Sequence, residues 1–253
     1  MSSNPITGHG PARARLILDF DGTVALGDGP VYAYAQAVAE FLDAKDRAAL
    51  LAALEAFLAG SGGAPEARFK DGYDAVAQLS AHAVSRAQRN AAYRSSREAI
   101  ARGDVAVHAP DGLEDFLVSV APFAERVLLT NAPLTGVAES LAALGLAEVI
   151  DSIIPDAGKP DGFAEKLPGL LQGLAPEELL SVGDVWLNDI AHPLAAGCAT
   201  AFIDRFNLAS GPAHLRAARI EELYPGMLEW AGDPSAFSRN HAGQIPHSET
   251  PAH

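Results

Sequence analysis

One short segment near the start of the chain constrains both the fold and the site. The apolar run Leu16-Ile17-Leu18 is followed at once by two carboxylates, Asp19 and Asp21, and then by Gly22 and Thr23. A short apolar run that stops at a glycine turn is typical of a buried strand in a parallel sheet. Because ligands of open α/β sheets bind at the carboxyl ends of strands, the pattern predicts that both acids lie in a site.

The composition limits the classes of function. Of 253 residues, 49% are hydrophobic, which is sufficient for a sizeable core. The 32 acidic residues against 18 Lys and Arg give a net charge of −14, which argues against nucleic-acid or anionic-membrane partners but not against an anionic metabolite. No apolar run approaches the roughly 18 residues of a membrane span, and we expect no secretory signal. The single cysteine, Cys198, cannot form an internal disulfide, so we expect a cytoplasmic protein.

Two kinds of periodicity divide the chain. Between residues 30 and 104, apolar residues recur at helical spacing and no strand is evident. After residue 104, predicted strands alternate with predicted helices. These predicted strands span residues 127–130, 150–154, 179–182 and 200–203. The alternation predicts an α/β fold with a Rossmann-like parallel sheet covered on both faces, into which an all-helical segment is inserted.

The domain limits follow from these patterns. We expect a discontinuous α/β core, residues 16–29 and 105–231, because the first strand precedes the helical insertion, residues 30–104. Residues 1–15 are expected to form a flexible tail. Residues 232–253 are rich in Pro, Ser, Gly and His and are expected to be disordered.

Three further groups of polar residues follow predicted strands. They are Thr130-Asn131, Lys159 in the loop after residue 154, and the segment from Gly183-Asp184 to Asn188-Asp189. The carboxyl ends of parallel strands meet at one edge of a sheet. We therefore expect these residues to share one crevice with Asp19 and Asp21.

This set of side chains suits phosphoryl transfer. Asp19 and Asp184 offer the hard oxygen ligands that Mg²⁺ prefers, and the metal would reduce repulsion between a carboxylate and a phosphoryl dianion. Asp19 can then attack phosphorus, and Asp21 can exchange protons with the leaving oxygen and with water. The phosphoryl oxygens can be held by Thr130, Lys159 and backbone N–H groups near Gly22 and Asn131.

In this order, the four segments resemble the motifs of the haloacid dehalogenase superfamily, whose Mg²⁺-dependent hydrolases form an aspartyl-phosphate. The resemblance spans residues 16–204, and its first and fourth motifs are the specific ones. It implies the superfamily's Rossmann-like core. It also implies that the helical insertion is a type-1 cap that closes over the site.

The resemblance also implies a role for each residue. Asp19 would be the nucleophile and a metal ligand. Asp21 would be the acid/base and a ligand through its backbone carbonyl, and Asp184 the third protein ligand. Asp189 would orient the motif lysine or a metal-bound water, and Asn188 would begin or cap the next helix beside the site.

The predicted function is hydrolysis of a phosphate monoester of a small metabolite. Asp21 counts against dehalogenation, because a halide leaving group needs no proton. Two alternatives stay open. A sugar-phosphate mutase would use the same residues under a cap that excludes water, and a non-catalytic module would use the fold only to bind a ligand. The leaving group and the oligomeric state are not predicted.

Overall fold

The computed structural model describes residues 14–60 and 69–242, and the statements below concern those residues. Its strands are β1 (Ala14–Leu18), β2 (Ala124–Leu129), β3 (Ser152–Ile154), β4 (Leu179–Gly183), β5 (Ala199–Ile203) and β6 (Leu215–Ala217). They form one parallel sheet in the order β3-β2-β1-β4-β5-β6. The predicted parallel α/β sheet is thus confirmed.

Helices cover this sheet and build the insertion. The first four are α1 (Gly29–Ala39), α2 (Ala44–Leu58), α3 (Gly72–Ser80) and α4 (Arg86–Ala101). The others are α5 (Leu113–Val120), α6 (Leu134–Ala143), α7 (Asp161–Leu170), α8 (Trp186–Asp189), α9 (Ala191–Ala195), α10 (Tyr224–Gly232) and α11 (Pro234–His241). In the described part of the chain, no helix combines the length and hydropathy that crossing a membrane requires.

Strand β1 lies in the middle of the sheet and is buried on both faces. Leu16 and Leu18 belong to the core cluster that also contains residues of α5, α6, α10 and α11. Ile17 points to the opposite face, where it packs in a cluster with Phe163 of α7. Side chains alternate between faces along a strand, so an unbroken apolar run requires two covered faces.

The strand order places a switch point beside β1. The chain passes from β1 to β2 on one side and later returns to β4 on the other side. The Asp19 N–H donates to the Val182 carbonyl over 3.0 Å, which joins the ends of β1 and β4. Such a switch point opens a crevice at the carboxyl ends of the strands, where ligands bind in open α/β sheets.

Helices α1–α4 have a hydrophobic cluster of their own, separate from those that flank the sheet. No strand occurs among the described residues of the insertion, as predicted. The two connections to the core lie side by side: Leu26 and His108 exchange backbone hydrogen bonds of 2.8 and 3.0 Å. The insertion is therefore attached through two linkers that pair with each other.

Two expected tails are in part ordered. Strand β1 begins at Ala14, so Ala14 and Arg15 belong to the sheet. The expectation of disorder from residue 232 is wrong for its first part, because helix α11 packs its fully buried Phe237 into the core. The Asp233 side chain caps this helix by accepting from the Ala236 N–H over 2.9 Å. Residues 1–13 and 243–253 lie outside the described residues.

Candidate active site

A cavity of about 390 Å³ lies at the carboxyl ends of β1, β2 and β4, beneath the helical insertion. All predicted site residues except Asp189 line it, as do residues of α1, α3 and α4. Asp189 is 1% exposed and lies directly behind Lys159. The polar residues that follow four different strands are thus brought together at one edge of the sheet.

Lys159 forms a buried ion triad with two carboxylates. Its Nζ lies 2.6 Å from Oδ1 of Asp19 and 2.6 Å from Oδ1 of Asp189, and its side chain is 2% exposed. Burial alone would lower the pKa of Lys159, but the charges of Asp189 and Asp19 outweigh it and raise this pKa above its usual value. The lysine is therefore a fixed positive charge beside Asp19.

Asn131 holds the Lys159 loop in place. Its Oδ1 accepts from the Lys159 N–H over 2.6 Å, and its Nδ2 donates to the Lys159 carbonyl over 3.0 Å. This reciprocal pair engages both ends of the amide. The side chain of Asn131 therefore supports Lys159, and the contact predicted between phosphate and the backbone N–H groups near Asn131 stays a prediction. The Thr130 hydroxyl also accepts the Ala132 N–H over 3.0 Å.

Asp184 presents a free carboxylate oxygen to the site. Its Oδ1 is buried and makes no hydrogen bond with the described residues. Burial, together with the charges of Asp19 and Asp189, raises the pKa of Asp184 well above its usual value. A divalent cation at this oxygen would offset both the burial and the repulsion.

The acidic cluster fits a hard cation. Asp19, Asp184 and Asp189 each offer an oxygen, and these oxygens all lie within 4.8 Å of one another. Asp189 is already engaged, since its Oδ1 binds Lys159 and its Oδ2 accepts the Val185 N–H over 3.0 Å. Asp19 and Asp184 are therefore the carboxylates best placed to hold Mg²⁺, which commonly takes one or two carboxylates and keeps several waters.

Gly22 makes room for Asp184. Its φ is +87°, and a Cβ at this position would lie 2.2 Å from Oδ2 of Asp184. We expect Gly22→Ala to displace Asp184 and to lower Mg²⁺ affinity or metal-dependent activity by about 10–100-fold, the loss typical of disturbed ligand support. The Mg²⁺ concentration that gives half-maximal phosphate release, compared between wild type and Gly22→Ala, measures this effect.

Gly60→Ala is the matched control for this substitution. Gly60 also has a positive φ of +70°, but a Cβ added there would meet no described atom within 4 Å. Both variants therefore carry similar backbone strain. Equal losses of magnesium affinity in the two variants would show that contact with Asp184 is not the cause.

Asp21 pairs with an arginine of the insertion. Nη1 of Arg97, on α4, lies 3.1 Å from Oδ1 and 3.2 Å from Oδ2 of Asp21. Burial raises the pKa of Asp21, and the charge of Arg97 opposes that rise. Sequence reasoning missed Arg97. The sequence pattern that could have revealed Arg97 is a charged residue in the apolar stripe of a helix, between Tyr93 and Ile100.

The insertion and a core loop complete the cavity wall. Tyr34, Tyr73 and Tyr93 line the cavity, and their rings pack with centroids 5.8–5.9 Å apart. After β5, Phe206 reaches into the insertion and packs on Phe57, with ring centroids 4.8 Å apart. The core and the insertion are therefore in contact at the rim of the cavity.

Comparisons with solved structures identify the fold. A putative haloacid dehalogenase-type hydrolase, YfnB from Bacillus subtilis, solved with magnesium bound, matches with a TM-score of 0.56 at 17% identity, over 85% of this chain and 98% of that chain. A predicted phosphoglycolate phosphatase from Haemophilus somnus matches with a TM-score of 0.57 at 16% identity, over 88% and 99% of the two chains. The L-2-haloacid dehalogenase RSc1362 matches with a TM-score of 0.51 at 15% identity, over 85% and 98%. No family model and no curated protein matches the sequence.

The fold is therefore that of the haloacid dehalogenase-like hydrolases, with a helical cap. The structural neighbours include both phosphatase-like proteins and dehalogenases. The fold alone does not choose between these reactions, so the choice depends on the side chains of the site.

Proposed function

We propose that this protein is a Mg²⁺-dependent phosphatase that hydrolyses a phosphate monoester of a small metabolite. The observation that carries the proposal is a second acid, Asp21, beside the cluster of Asp19, Lys159 and Asp184 in one cavity. Displacement of a halide requires a nucleophile but no proton donor. Cleavage of a phosphate ester whose leaving group is an alkoxide requires both.

In the proposed reaction, Asp19 attacks phosphorus and forms an aspartyl-phosphate while Asp21 protonates the leaving oxygen. Asp21 then takes a proton from the water that hydrolyses this intermediate. Lys159 holds negative charge beside Asp19, and the backbone at Gly22 and Asn131 receives phosphoryl oxygens. Magnesium held by Asp19 and Asp184 would supply charge neutralisation at the phosphoryl group.

The surroundings of the site support a small substrate. The cavity lies beneath α1, α3 and α4 and has a volume of about 390 Å³. The net charge of −14 provides no long-range attraction for nucleic acid. The phosphatase-like neighbour from Haemophilus somnus lends the proposal support at the level of the fold.

Metal dependence is the first test. Phosphate release from p-nitrophenyl phosphate and a panel of metabolite phosphates is measured with Mg²⁺ and with EDTA. We expect EDTA to lower the rate by on the order of 10³-fold, because metal stabilisation of phosphoryl charge contributes several kcal/mol. We also expect Mg²⁺ to raise the melting temperature of the wild type but not of Asp184→Asn.

Other outcomes would favour other functions. Isomerised hexose phosphate without free phosphate would indicate a mutase. Halide release from 2-chloropropionate without phosphate release from any ester would indicate a dehalogenase. Absence of turnover, together with thermal stabilisation by a metabolite, would indicate a binding module and contradict the proposal.

A further inference from the structure

Arg97 is a buried cation of the helical insertion, and it pairs with Asp21, the proposed catalytic acid. It is 1% exposed and lies near the end of α4, whereas Asp21 follows β1 in the core. Its Nη1 contacts both carboxylate oxygens of Asp21, while its Nε and Nη2 make no hydrogen bond with the described residues. Burying a guanidinium is costly unless it is paired. Asp21 is its partner, and this pairing is strongest when Asp21 is a carboxylate, the form that it takes after donating a proton.

Close packing fixes the arginine in place. A Cβ at Gly136 of α6 would lie 2.9 Å from the Arg97 carbonyl oxygen and 3.3 Å from its Nε. On another side, the guanidinium carbon lies 5.8 Å from the centroid of the Phe20 ring. These neighbours confine the guanidinium between α6 and Phe20, which restricts where a paired Asp21 carboxyl can lie.

We infer that Arg97 is a positioning residue for proton transfer by Asp21, and that the substrate is accordingly an alkyl phosphate, whose leaving oxygen must be protonated. The inference rests on the proposed phosphatase function and extends it to the chemistry of the leaving group. Tyr73 and Tyr93 line the same cavity. The Tyr73 hydroxyl is buried without a hydrogen-bond partner among the described residues.

The path of the proton in the proposed reaction indicates how Arg97 acts. In the first step, one Asp19 oxygen bonds to phosphorus, the ester P–O bond breaks, and its electron pair goes to the ester oxygen. That oxygen takes the proton of the Asp21 carboxylic acid, so Asp21 becomes a carboxylate. Negative charge thus develops on Asp21 against the Arg97 guanidinium, which favours the transition state over the ground state.

The second step restores the site. Water bonds to phosphorus and gives its proton to the Asp21 carboxylate, while the bond from phosphorus to Asp19 breaks and leaves a carboxylate. Arg97 stays protonated throughout and exchanges no proton. Its effect on the first step must therefore depend on how much the leaving oxygen needs the proton from Asp21.

The test compares two leaving groups in one variant. An alkoxide needs protonation, whereas p-nitrophenolate is a stable anion. We expect Arg97→Met to lower kcat on the best alkyl phosphate of the panel by about 10–100-fold, part of the ~10²–10⁴ that general acid catalysis contributes. The loss on p-nitrophenyl phosphate should stay within about threefold, and Arg97→Lys should recover part of the alkyl rate.

Two controls separate this role from a structural one. Arg94→Met changes an exposed residue of the same helix and should leave both rates unchanged. In the Asp21→Asn background, Arg97→Met should lower the alkyl rate no further, because it acts through Asp21. This double variant also carries the test if the single variant unfolds, since Asp21→Asn removes the charge that Arg97 pairs.

The possible failures are distinct. If wild type hydrolyses no ester, the proposed function fails. If wild type hydrolyses p-nitrophenyl phosphate but no alkyl phosphate, the inferred substrate class is wrong. If Arg97→Met lowers both rates equally, or lowers the alkyl rate in the Asp21→Asn background, Arg97 acts only on the fold and the positioning role is overturned.

Discussion

Asp19→Asn is expected to lower phosphate release by on the order of 10⁴–10⁶-fold, the loss seen when hydrolases lose members of a nucleophilic unit. The substitution is nearly isosteric, and the Asp19 N–H keeps its hydrogen bond to Val182 at the end of β1. An amide oxygen is a poor nucleophile toward phosphorus, so the proposed covalent path would be blocked. Initial rates of phosphate release with Mg²⁺ measure the effect.

Asp111→Asn is the matched control, because Asp111 is exposed and does not line the cavity. It should retain the wild-type rate. Acid quenching during turnover of a radiolabelled phosphate ester should also trap label on the wild-type protein but not on Asp19→Asn. A variant at residue 19 that keeps most of the activity would mean that another residue attacks phosphorus.

Much of the core could be predicted from strand ends. Each apolar run that is followed directly by predicted site residues forms a strand. Asp19 follows β1, Thr130 follows β2 and Asp184 follows β4. These strands are buried on both faces, so their composition alone separates them from the amphipathic helices. Parallel pairing then brings their ends together without any further information.

Short or marginal elements were less visible. Strand β6 has only three residues and was not predicted. Helix α11 was also missed, since its one fully buried large side chain is Phe237 and its other residues are mostly polar. Such elements are stabilised by tertiary contact rather than by their own periodicity. Their existence depends on neighbours that local patterns do not reveal.

The sequence does not predict which side chains of distant segments contact one another at the site. Asp21 and Arg97 are separated by 76 positions, and their contact depends on how the insertion sits over the core. The exchange of hydrogen bonds between Asn131 and the backbone of Lys159 spans 28 positions and is equally hidden. Residue types predicted which groups take part, but only the folded geometry assigns their partners.

Lys159→Met is expected to destabilise the fold by roughly 3–5 kcal/mol, the cost of removing one partner from a buried ion pair. The methionine fills similar volume but leaves Asp19 and Asp189 facing each other without the ammonium that now lies 2.6 Å from each. Chemical denaturation measures the free energy of unfolding. Lys45→Met, at an exposed position of α2, should change it little.

The destabilisation of Lys159→Met should also depend on pH. Burial raises the pKa of Asp189, and Lys159 lowers it, so the variant has a still higher folded-state pKa. A folded carboxyl with a raised pKa holds its proton more tightly than the unfolded one, so its stability contribution is lost as pH rises through the folded pKa. The loss of unfolding free energy in Lys159→Met should therefore be larger at about pH 8 than at about pH 5.

A double variant tests whether charge is the cause. Adding Asp189→Asn to Lys159→Met removes the unpaired charge but keeps an acceptor for the Val185 N–H. The double variant should therefore recover stability and lose most of the pH dependence. A loss that is independent of pH and not recovered by Asp189→Asn would show that Lys159 stabilises the fold by packing rather than by charge.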